Sequence, residues 1–499
     1  MKLSKLKKNT ISSFTYQITA VICGFILPRL ILQYFGSNVN GLVNSVSEFL
    51  KVITFLELGM GAVVQSALYA PLARNNLNQI SEIIVSAQRF FQKIALVLVV
   101  YVFFLILLFP RISEGVEDKL GTAFLILAMS ISSFGQYYFG IVDRLLLSAD
   151  QKGYIQYNVQ ALTLILNTIC SVLLLNWGVS IQVMKLTTSV IFLIRPVYLR
   201  YYVNKHYCIN RNITYTQEPI QQKWNGAAQH LAAFILEGTD TIVLTLFSTL
   251  SNVSVYNVYV FVLTGIKQIL ISLTNGVQSF MGELLAKEEH AALRDFFSWM
   301  EWVVHSTTIF IFGCTASLIV PFIMVYTKGV TDAEYNVPLF ALLITLANAG
   351  HCLRLPYSLM ILAGGHYKQT QGIYITTALM NIIISILAVS QWGLVGVAIG
   401  TLVAMTYQTI RMAQYTFKSL LHRELRYFIK QICVDSIIFV IAFILSKNFA
   451  MSDVNYVAWV ILAVKVALLW MAVILLVNSL CYREKMRDVL HRIIRQAKA

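Results

Sequence analysis

Long apolar segments follow one another along almost the whole chain, separated by short stretches that contain most of its basic residues. One of them, residues 94–109, reads IALVLVVYVFFLILLF and shows no alternation of apolar and polar positions. A continuous apolar run of about 20 residues predicts a membrane-spanning helix, whereas alternation over about ten residues indicates a strand of a membrane barrel. The pattern therefore predicts an all-α polytopic membrane protein.

Fourteen segments fit this pattern. Twelve or thirteen spans remain alternatives, because Glu237 and Asp240 interrupt the seventh segment and several serines make the fourth one polar. The predicted spans are 10–34, 42–67, 94–110, 121–143, 156–176, 179–201, 227–249, 254–282, 299–325, 337–362, 371–390, 393–415, 430–447 and 456–480.

Composition supports this class and excludes two others. Of the 499 residues, 58% are hydrophobic and 12% are charged, whereas soluble domains carry about 25% charged residues. The net charge of +15 does not indicate nucleic-acid binding, because the basic residues separate apolar runs instead of clustering on one surface.

Lysine and arginine also predict the orientation. If the N-terminus is cytoplasmic, most of them fall on the cytoplasmic side, and the other side receives only Arg111, Lys119, Lys328 and Lys447. Both termini are then cytoplasmic. The longest outer loop has about ten residues, 111–120, and no nucleotide-binding, catalytic or metal-ligand motif occurs, so we expect neither an enzyme nor a metal site.

An internal repeat divides the chain into two halves. Residues 49–80 align with residues 265–296 at an offset of roughly 213–216, which places Lys51 against Lys267. Parallel repeats are a common plan of transporters, with the substrate site between the halves. The predicted organisation is an N-terminal lobe of spans 1–6 (1–220), a C-terminal lobe of spans 7–12 (221–428), spans 13–14 (429–480) and a basic amphipathic cytoplasmic tail (481–499).

Four of the cations inside predicted spans are candidates for anion binding, because a charge there usually faces a cavity or a partner. They are Arg29, Lys51, Lys267 and Arg354. Cations directed at one cavity would suit an anionic group such as a diphosphate, which arginine binds with two hydrogen bonds and lysine as a point charge. The alternative is that each pairs with a carboxylate; Glu48 and Lys51, three residues apart on a helix, could neutralise each other.

Three carboxylates, Glu57, Glu237 and Asp240, are candidates for ion coupling, because a carboxylate in a cavity of low dielectric constant can exchange a proton or bind Na⁺. The alternative is a salt bridge to Arg29 or Lys267. No cofactor is expected beyond a coupling ion, H⁺ or Na⁺. Glu301 and His305 share a helix face near a predicted span end and are interpreted as interfacial.

Two stretches resemble a known family. Residues 27–76, LPRLILQYFGSNVNGLVNSVSEFLKVITFLELGMGAVVQSALYAPLARNN, are similar to the first two spans of bacterial polysaccharide transporters, and residues 237–270 are similar to the start of their second half. These transporters are the O-antigen, capsule and exopolysaccharide repeat-unit flippases of the MOP superfamily. The resemblance implies two six-helix lobes that alternate access across the bacterial cytoplasmic (inner) membrane.

The resemblance also implies the cargo and the partners. The cargo would be an undecaprenyl-diphosphate-linked oligosaccharide, and the partners would be membrane lipids, a polysaccharide polymerase and glycosyltransferases. In similar flippases, cations of spans one, two and eight line the cavity, where Arg29, Lys51 and Lys267 stand in this chain.

Two other functions remain open at this stage. A cation-coupled multidrug extruder of the same fold would need an acidic or aromatic pocket, and the basic set argues against it. A membrane glycosyl polymerase or acyltransferase would need reactive groups on a sizeable outer loop, which the predicted topology lacks.

Overall fold

The computed structural model describes residues 2–57, 59–112, 118–215, 218–220, 238–274 and 277–488. Within these ranges the chain is almost entirely helical and forms no β-strand, which confirms the predicted all-α class. The helices are α1 (Lys2–Lys51), α2 (Met60–Ala73), α3 (Leu77–Ile112), α4 (Lys119–Gly135), α5 (Ile141–Ala149), α6 (Gly153–Asn176), α7 (Ile181–His206), α8 (Gly238–Phe247), α9 (Leu250–Leu273), α10 (Val277–Ala286), α11 (His290–Tyr326), α12 (Pro338–Leu353), α13 (Leu355–Ala363), α14 (Tyr367–Thr416), α15 (Arg426–Ser446) and α16 (Tyr456–Cys481).

Among the described residues, ten helical segments are long and apolar enough to cross a membrane. Two of these segments cover more than one predicted span: Lys368–Leu421 contains spans 11 and 12, and Lys7–Glu57 contains span 1 and most of span 2. A single glycine with positive φ interrupts each of them, Gly36 at φ 79° and Gly393 at φ 51°. Glycine suits these positions because it has no Cβ to clash in this region of backbone space. The first connection is therefore tighter than the predicted interval of residues 35–41, and the second lies at the predicted junction of residues 390–393.

At Gly393 the chain folds back on itself. A Cβ atom added to Gly396 would lie 2.3 Å from the carbonyl oxygen of Ala388, and one added to Gly400 would lie 2.2 Å from the Ser385 hydroxyl. In both pairs one residue precedes Gly393 and the other follows it, so the two halves of α14 form a closely packed antiparallel hairpin. Small residues at such contacts allow helix backbones to approach each other in lipid.

The second and eighth predicted spans are both discontinuous. In the second span, α1 passes into the 3₁₀ segment Val52–Glu57, and α2 begins after Gly59, whose φ is 77°. In the eighth span, α9 ends at Leu273 and α10 begins at Val277. The two interruptions lie about 216 residues apart, which matches the offset of the sequence repeat.

The fourth and tenth predicted spans are also interrupted at matching places. A π-helical turn, Gln136–Gly140, separates α4 from α5, and Arg354 separates α12 from α13. The helices that follow the breaks pack against each other in pairs. In the first half α2, after the break of the second span, contacts α5, after the break of the fourth. In the second half α10, after the break of the eighth span, contacts α13, after the break of the tenth. The repeat thus reproduces the positions of the breaks as well as the spans.

The chain forms two compact units, Met1–Ser254 and Val255–Ala499. Helix α8 and the start of α9 belong to the first unit because they pack on α1. The Ser45 and Thr245 hydroxyls lie 2.7 Å apart, and a Cβ added to Gly41 would lie 1.8 Å from the carbonyl oxygen of Leu250. The boundary between the units therefore falls after Ser254. The predicted division into lobes of residues 1–220 and 221–428 stays a prediction.

The last two predicted spans, α15 and α16, belong to the second unit. Both helices pack against α11, and the fully buried ring of Trp470 lies directly over Gly313, where a Cβ would come within 2.0 Å of the ring. The predicted tail continues as a short helical segment to residue 488, and residues 489–499 lie outside the described part.

The hairpin contact at Gly396 can be tested by adding one methyl group. Gly396→Ala should lower the melting temperature in detergent, because the backbone oxygen of Ala388 must shift; overpacking of this kind costs about 1–3 kcal/mol. Gly372→Ala, in the same helix with no atom within 4 Å of its Cβ position, is the matched control and should leave the melting temperature unchanged or raise it. Equal melting temperatures of the two variants would contradict the close approach.

Candidate functional site

Arg354 stands at the interruption of the tenth span, where it follows α12 and precedes α13. Its guanidinium is buried, with 6% of the residue exposed. It donates to Gln408 Oε1 and to Met405 Sδ (3.4 Å) and lies 2.9 Å from His351 Nδ1. In the part of the chain that the structure describes, no carboxylate lies within ion-pair distance of this cation. Its positive charge is therefore held by neutral side chains.

Lys267 lies in the same unit as Arg354 and close to the same partner. It is half-buried on α9, and the charges of Lys267 and Arg354 both act on His351 and on Cys352. No ion pair of Lys267 occurs among the described residues. The structure therefore places two of the four predicted cations, one from each of the two broken spans of the second unit, within electrostatic range of the same histidine. An anion could compensate both charges, because arginine and lysine are the usual ligands of such groups.

In the first unit, Lys51 forms an ion pair with Glu48, as the alternative to ligand binding predicted. It is the last residue of α1, and its Nζ lies 2.5 Å from Glu48 Oε1. The lysine side chain is 58% exposed, whereas that of Glu48 is 15% exposed. An exposed ion pair of this kind contributes little to stability. Lys51 is therefore accessible and only weakly held, and its role in binding stays a prediction.

Arg29 lies one residue after Pro28 in α1 and is half-buried. It interacts with a neighbouring group, as does Asp240, which is buried on α8 with 4% of the residue exposed. Glu237 lies outside the described residues. The predicted roles of these three residues, anion binding for Arg29 and ion coupling for Glu237 and Asp240, stay predictions.

Glu57 is the last residue of the 3₁₀ segment at the break of the second span. Its Oε1 accepts a hydrogen bond of 2.5 Å from the hydroxyl of Tyr137, which belongs to the π-helical turn of the fourth span. The carboxylate thus connects the interruptions of two spans, and turns of this type often occur at functional sites. A change in the charge of Glu57 would act directly on this connection.

A second cluster of ionisable groups is buried in the second unit, and it corrects the interpretation of Glu301 and His305 as interfacial. Glu301 is 4% exposed and His305 is fully buried. Tyr357 donates a 2.8 Å hydrogen bond to Glu301 Oε1 and lies 3.2 Å from His305 Nε2, and His305 Nδ1 lies 2.6 Å from Asp435 Oδ2. Gln431 donates to the other oxygen of Asp435 at 3.0 Å.

This network joins three helices, α11 through Glu301 and His305, α13 through Tyr357, and α15 through Asp435. It ties the thirteenth predicted span to the second half of the broken tenth span. The spacing of four residues between Glu301 and His305 signals a shared helix face, but a shared face does not reveal that another helix covers it.

The histidine–aspartate contact can be tested with a substitution that leaves the carboxylate buried. His305→Leu should lower the stability by about 3 kcal/mol, because the buried carboxyl group of Asp435 then loses its imidazole partner. The measurement is the melting temperature of the purified protein in detergent. Lys287→Ala, which removes the exposed partner of Glu283, is the control and should cause no change. A melting temperature of His305→Leu equal to that of the control would contradict a stabilising network.

No protein-family model matches the chain, and no curated protein matches it. Solved structures do match. The lipid II flippase MurJ in its inward closed conformation superposes with a TM-score of 0.68, covering 95% of this chain and 99% of that chain at 17% identity.

Two multidrug transporter structures are also similar. An inward-facing multidrug resistance MATE family transporter of the MOP superfamily gives a TM-score of 0.57, covering 82% of this chain and 96% of that chain at 13% identity. The MATE transporter VcmN of Vibrio cholerae, in a mutant form, gives 0.53, covering 85% and 99% at 14% identity. At these identities the likeness establishes the fold: the chain is a multi-pass membrane protein with the fold that these transporters share.

Proposed function

We propose that this protein is a flippase that moves a polyprenyl-diphosphate-linked oligosaccharide across the bacterial cytoplasmic membrane by alternating access. The product would serve surface polysaccharide synthesis, such as O-antigen or capsule. The observation that carries the proposal is the pair of cations Lys267 and Arg354, which no described carboxylate neutralises. A charge inside a span costs at least about 2.5 kcal/mol on insertion scales, so two uncompensated cations favour an anionic ligand.

The chemistry of a diphosphate fits these cations. Arg354 can supply a planar fork of N–H donors to two phosphate oxygens, and Lys267 can add a mobile point charge. Arg29 and Lys51 are the proposed counterparts from the first unit. Lys51 would exchange its pairing with Glu48 for the ligand, since the lysine side chain is 58% exposed.

The broken spans support a site of this kind. In transporters, discontinuous helices commonly form substrate and ion sites near the middle of the bilayer. Here the tenth span breaks at Arg354 itself, and the second breaks between Lys51 and Gly59. The proposed coupling residues are Glu57, Glu237 and Asp240, with H⁺ or Na⁺ as the ion. Protonation of Glu57 would change its hydrogen bond to Tyr137 and so the contact between two broken spans.

The fold adds support of a coarser kind, because a lipid II flippase and MATE multidrug transporters share it. A cation-coupled multidrug extruder is the alternative transporter function. An extruder binds cationic drugs, and the environment of Lys267 and Arg354 would repel them. The balance of charge at the second unit's breaks therefore favours an anionic cargo.

The proposal can be tested in proteoliposomes with a fluorescently labelled polyprenyl-diphosphate disaccharide. Translocation is measured as the fraction of label that becomes accessible to a membrane-impermeant quencher. We expect the wild-type protein to move the label, and the double variant Lys267→Gln/Arg354→Gln to reduce the rate at least tenfold, because it removes both uncompensated charges.

Lys465→Gln removes one charge from an exposed position on α16 and is the matched control, with an expected rate equal to that of the wild type. Normal translocation by the double variant would overturn the site assignment. No translocation by the wild type, together with export of a cationic dye, would overturn the flippase and support the extruder.

A further inference from the structure

The first unit contains a basic pocket that includes none of the predicted site residues. It lies where the π-helical turn between α4 and α5 faces α6 and α7, and its empty volume is about 540 Å³ with the open mouth included. Its polar lining consists of Ser132, Gln136, Arg144, Gln156, Gln160 and Arg195. The lining thus contains two arginines, three glutamines and no acidic residue.

The charge of Arg195 is not neutralised by the groups around it. Its Nε donates a 2.6 Å hydrogen bond to Thr163 Oγ1, and its guanidinium lies 4.0 Å from the centre of the Phe192 ring. Its Nη2 is buried without a hydrogen-bond partner in the described part of the chain. An unsatisfied buried donor costs about 1–3 kcal/mol, and a charged donor costs more. A ligand that accepts from Nη2 would recover this energy.

Arg144 is half-buried and makes no ion pair with any residue that the structure describes. The carboxylates of the neighbouring sequence are already engaged. Asp143 binds Arg200 at 3.3 Å and Arg211 at 3.0 Å. These two arginines therefore share a carboxylate partner, whereas Arg144 and Arg195 have none among the described residues.

Asp150 is engaged in the same way, with Lys152 at 2.7 Å and Lys5 at 3.2 Å. Burial by itself raises the pKa of Asp150, but hydrogen bonds from Lys152, Tyr207 and Lys5 outweigh burial and hold the pKa below its usual range. The carboxylate is therefore charged at neutral pH and saturated with its own partners. It is not available to neutralise the pocket.

The glutamine side chains of the pocket are suited to binding hydroxyl groups of a ligand. The side-chain amides of Gln136, Gln156 and Gln160 make no hydrogen bond within the described ranges, and each amide offers both donors and an acceptor. Two guanidinium forks would bind a carboxylate or phosphate, and amides beside them would bind hydroxyls.

We propose that this pocket binds an anionic polyol, a carboxylate or phosphate group carried beside several hydroxyls. Such a group has two sources, an acidic sugar or the glycerol-phosphate headgroup of a lipid. Its identification with a sugar of the cargo rests on the proposed function, whereas the ligand class rests on the pocket alone.

The pocket is also close to the candidate coupling residue. Arg144 acts electrostatically on the phenol of Tyr137, which donates to Glu57 at the break of the second span. An anion bound beside Arg144 would therefore change the field at the hydrogen bond that joins two broken spans. Occupancy of the pocket would influence the coupling carboxylate without touching it.

Binding is tested with the full-length protein in phosphatidylcholine nanodiscs. The sugar arm compares methyl glucuronide with methyl glucoside, which has the same ring hydroxyls but no carboxylate, by saturation-transfer NMR. The lipid arm measures retention of phosphatidylglycerol by native mass spectrometry. The variants are Arg144→Gln, which loses no protein partner and should fold normally, and Arg195→Gln. Arg111→Gln removes the same charge from an exposed helix end and is the control.

Selective binding of the glucuronide that falls at least tenfold in both pocket variants, but not in the control, supports the sugar source. Retention of phosphatidylglycerol that falls in the same way, with no glucuronide binding, supports the lipid headgroup. Binding of neither probe, or binding that neither pocket variant weakens, overturns the proposal. Because these readouts need no transport, glucuronide binding by a protein that fails to flip the labelled lipid would reject the proposed function and retain the pocket.

Discussion

Backbone amides inside a bilayer have no water to bond to, and this constraint governs where the spans of this protein can break. A broken helix is tolerated at membrane depth only where protein or a cavity supplies partners for the freed groups. Each unit breaks two spans and packs the following half-helices against each other, α2 on α5 and α10 on α13. The breaks are therefore the places where polar side chains can be positioned inside the membrane.

The ionisable side chains near these breaks differ in how their charge is compensated. Some are neutralised by a single partner, as Lys51 is by Glu48. Others belong to a saturated buried network, as His305 and Asp435 do, and these hold helices together. Lys267 and Arg354 have no carboxylate partner among the described residues. Because a bare charge in a low-dielectric medium is costly, this third group carries the functional proposal.

Sequence reasoning identified the all-α membrane class from local composition. It predicted the repeat from self-similarity along the chain and singled out Arg354 as a cation inside a predicted span. It did not predict that Glu301 and His305 are buried, because a pattern along one helix shows which residues share a face and does not show which other helices pack on that face. It also missed the pocket around Arg195. The one signal available was the series of glutamines at 136, 156 and 160, which is unusual in apolar segments but has no fixed spacing.

The sequence by itself determined that the chain is an all-α membrane protein, because hydropathy is a sum over neighbouring residues. Only the tertiary structure decided which charges are paired. His305 and Asp435 are 130 residues apart, and Glu57 and Tyr137 are 80 residues apart, yet each pair is in hydrogen-bond contact. The energy of such a contact depends on a distance of a few ångströms, and that distance is set by helix packing that no local pattern encodes.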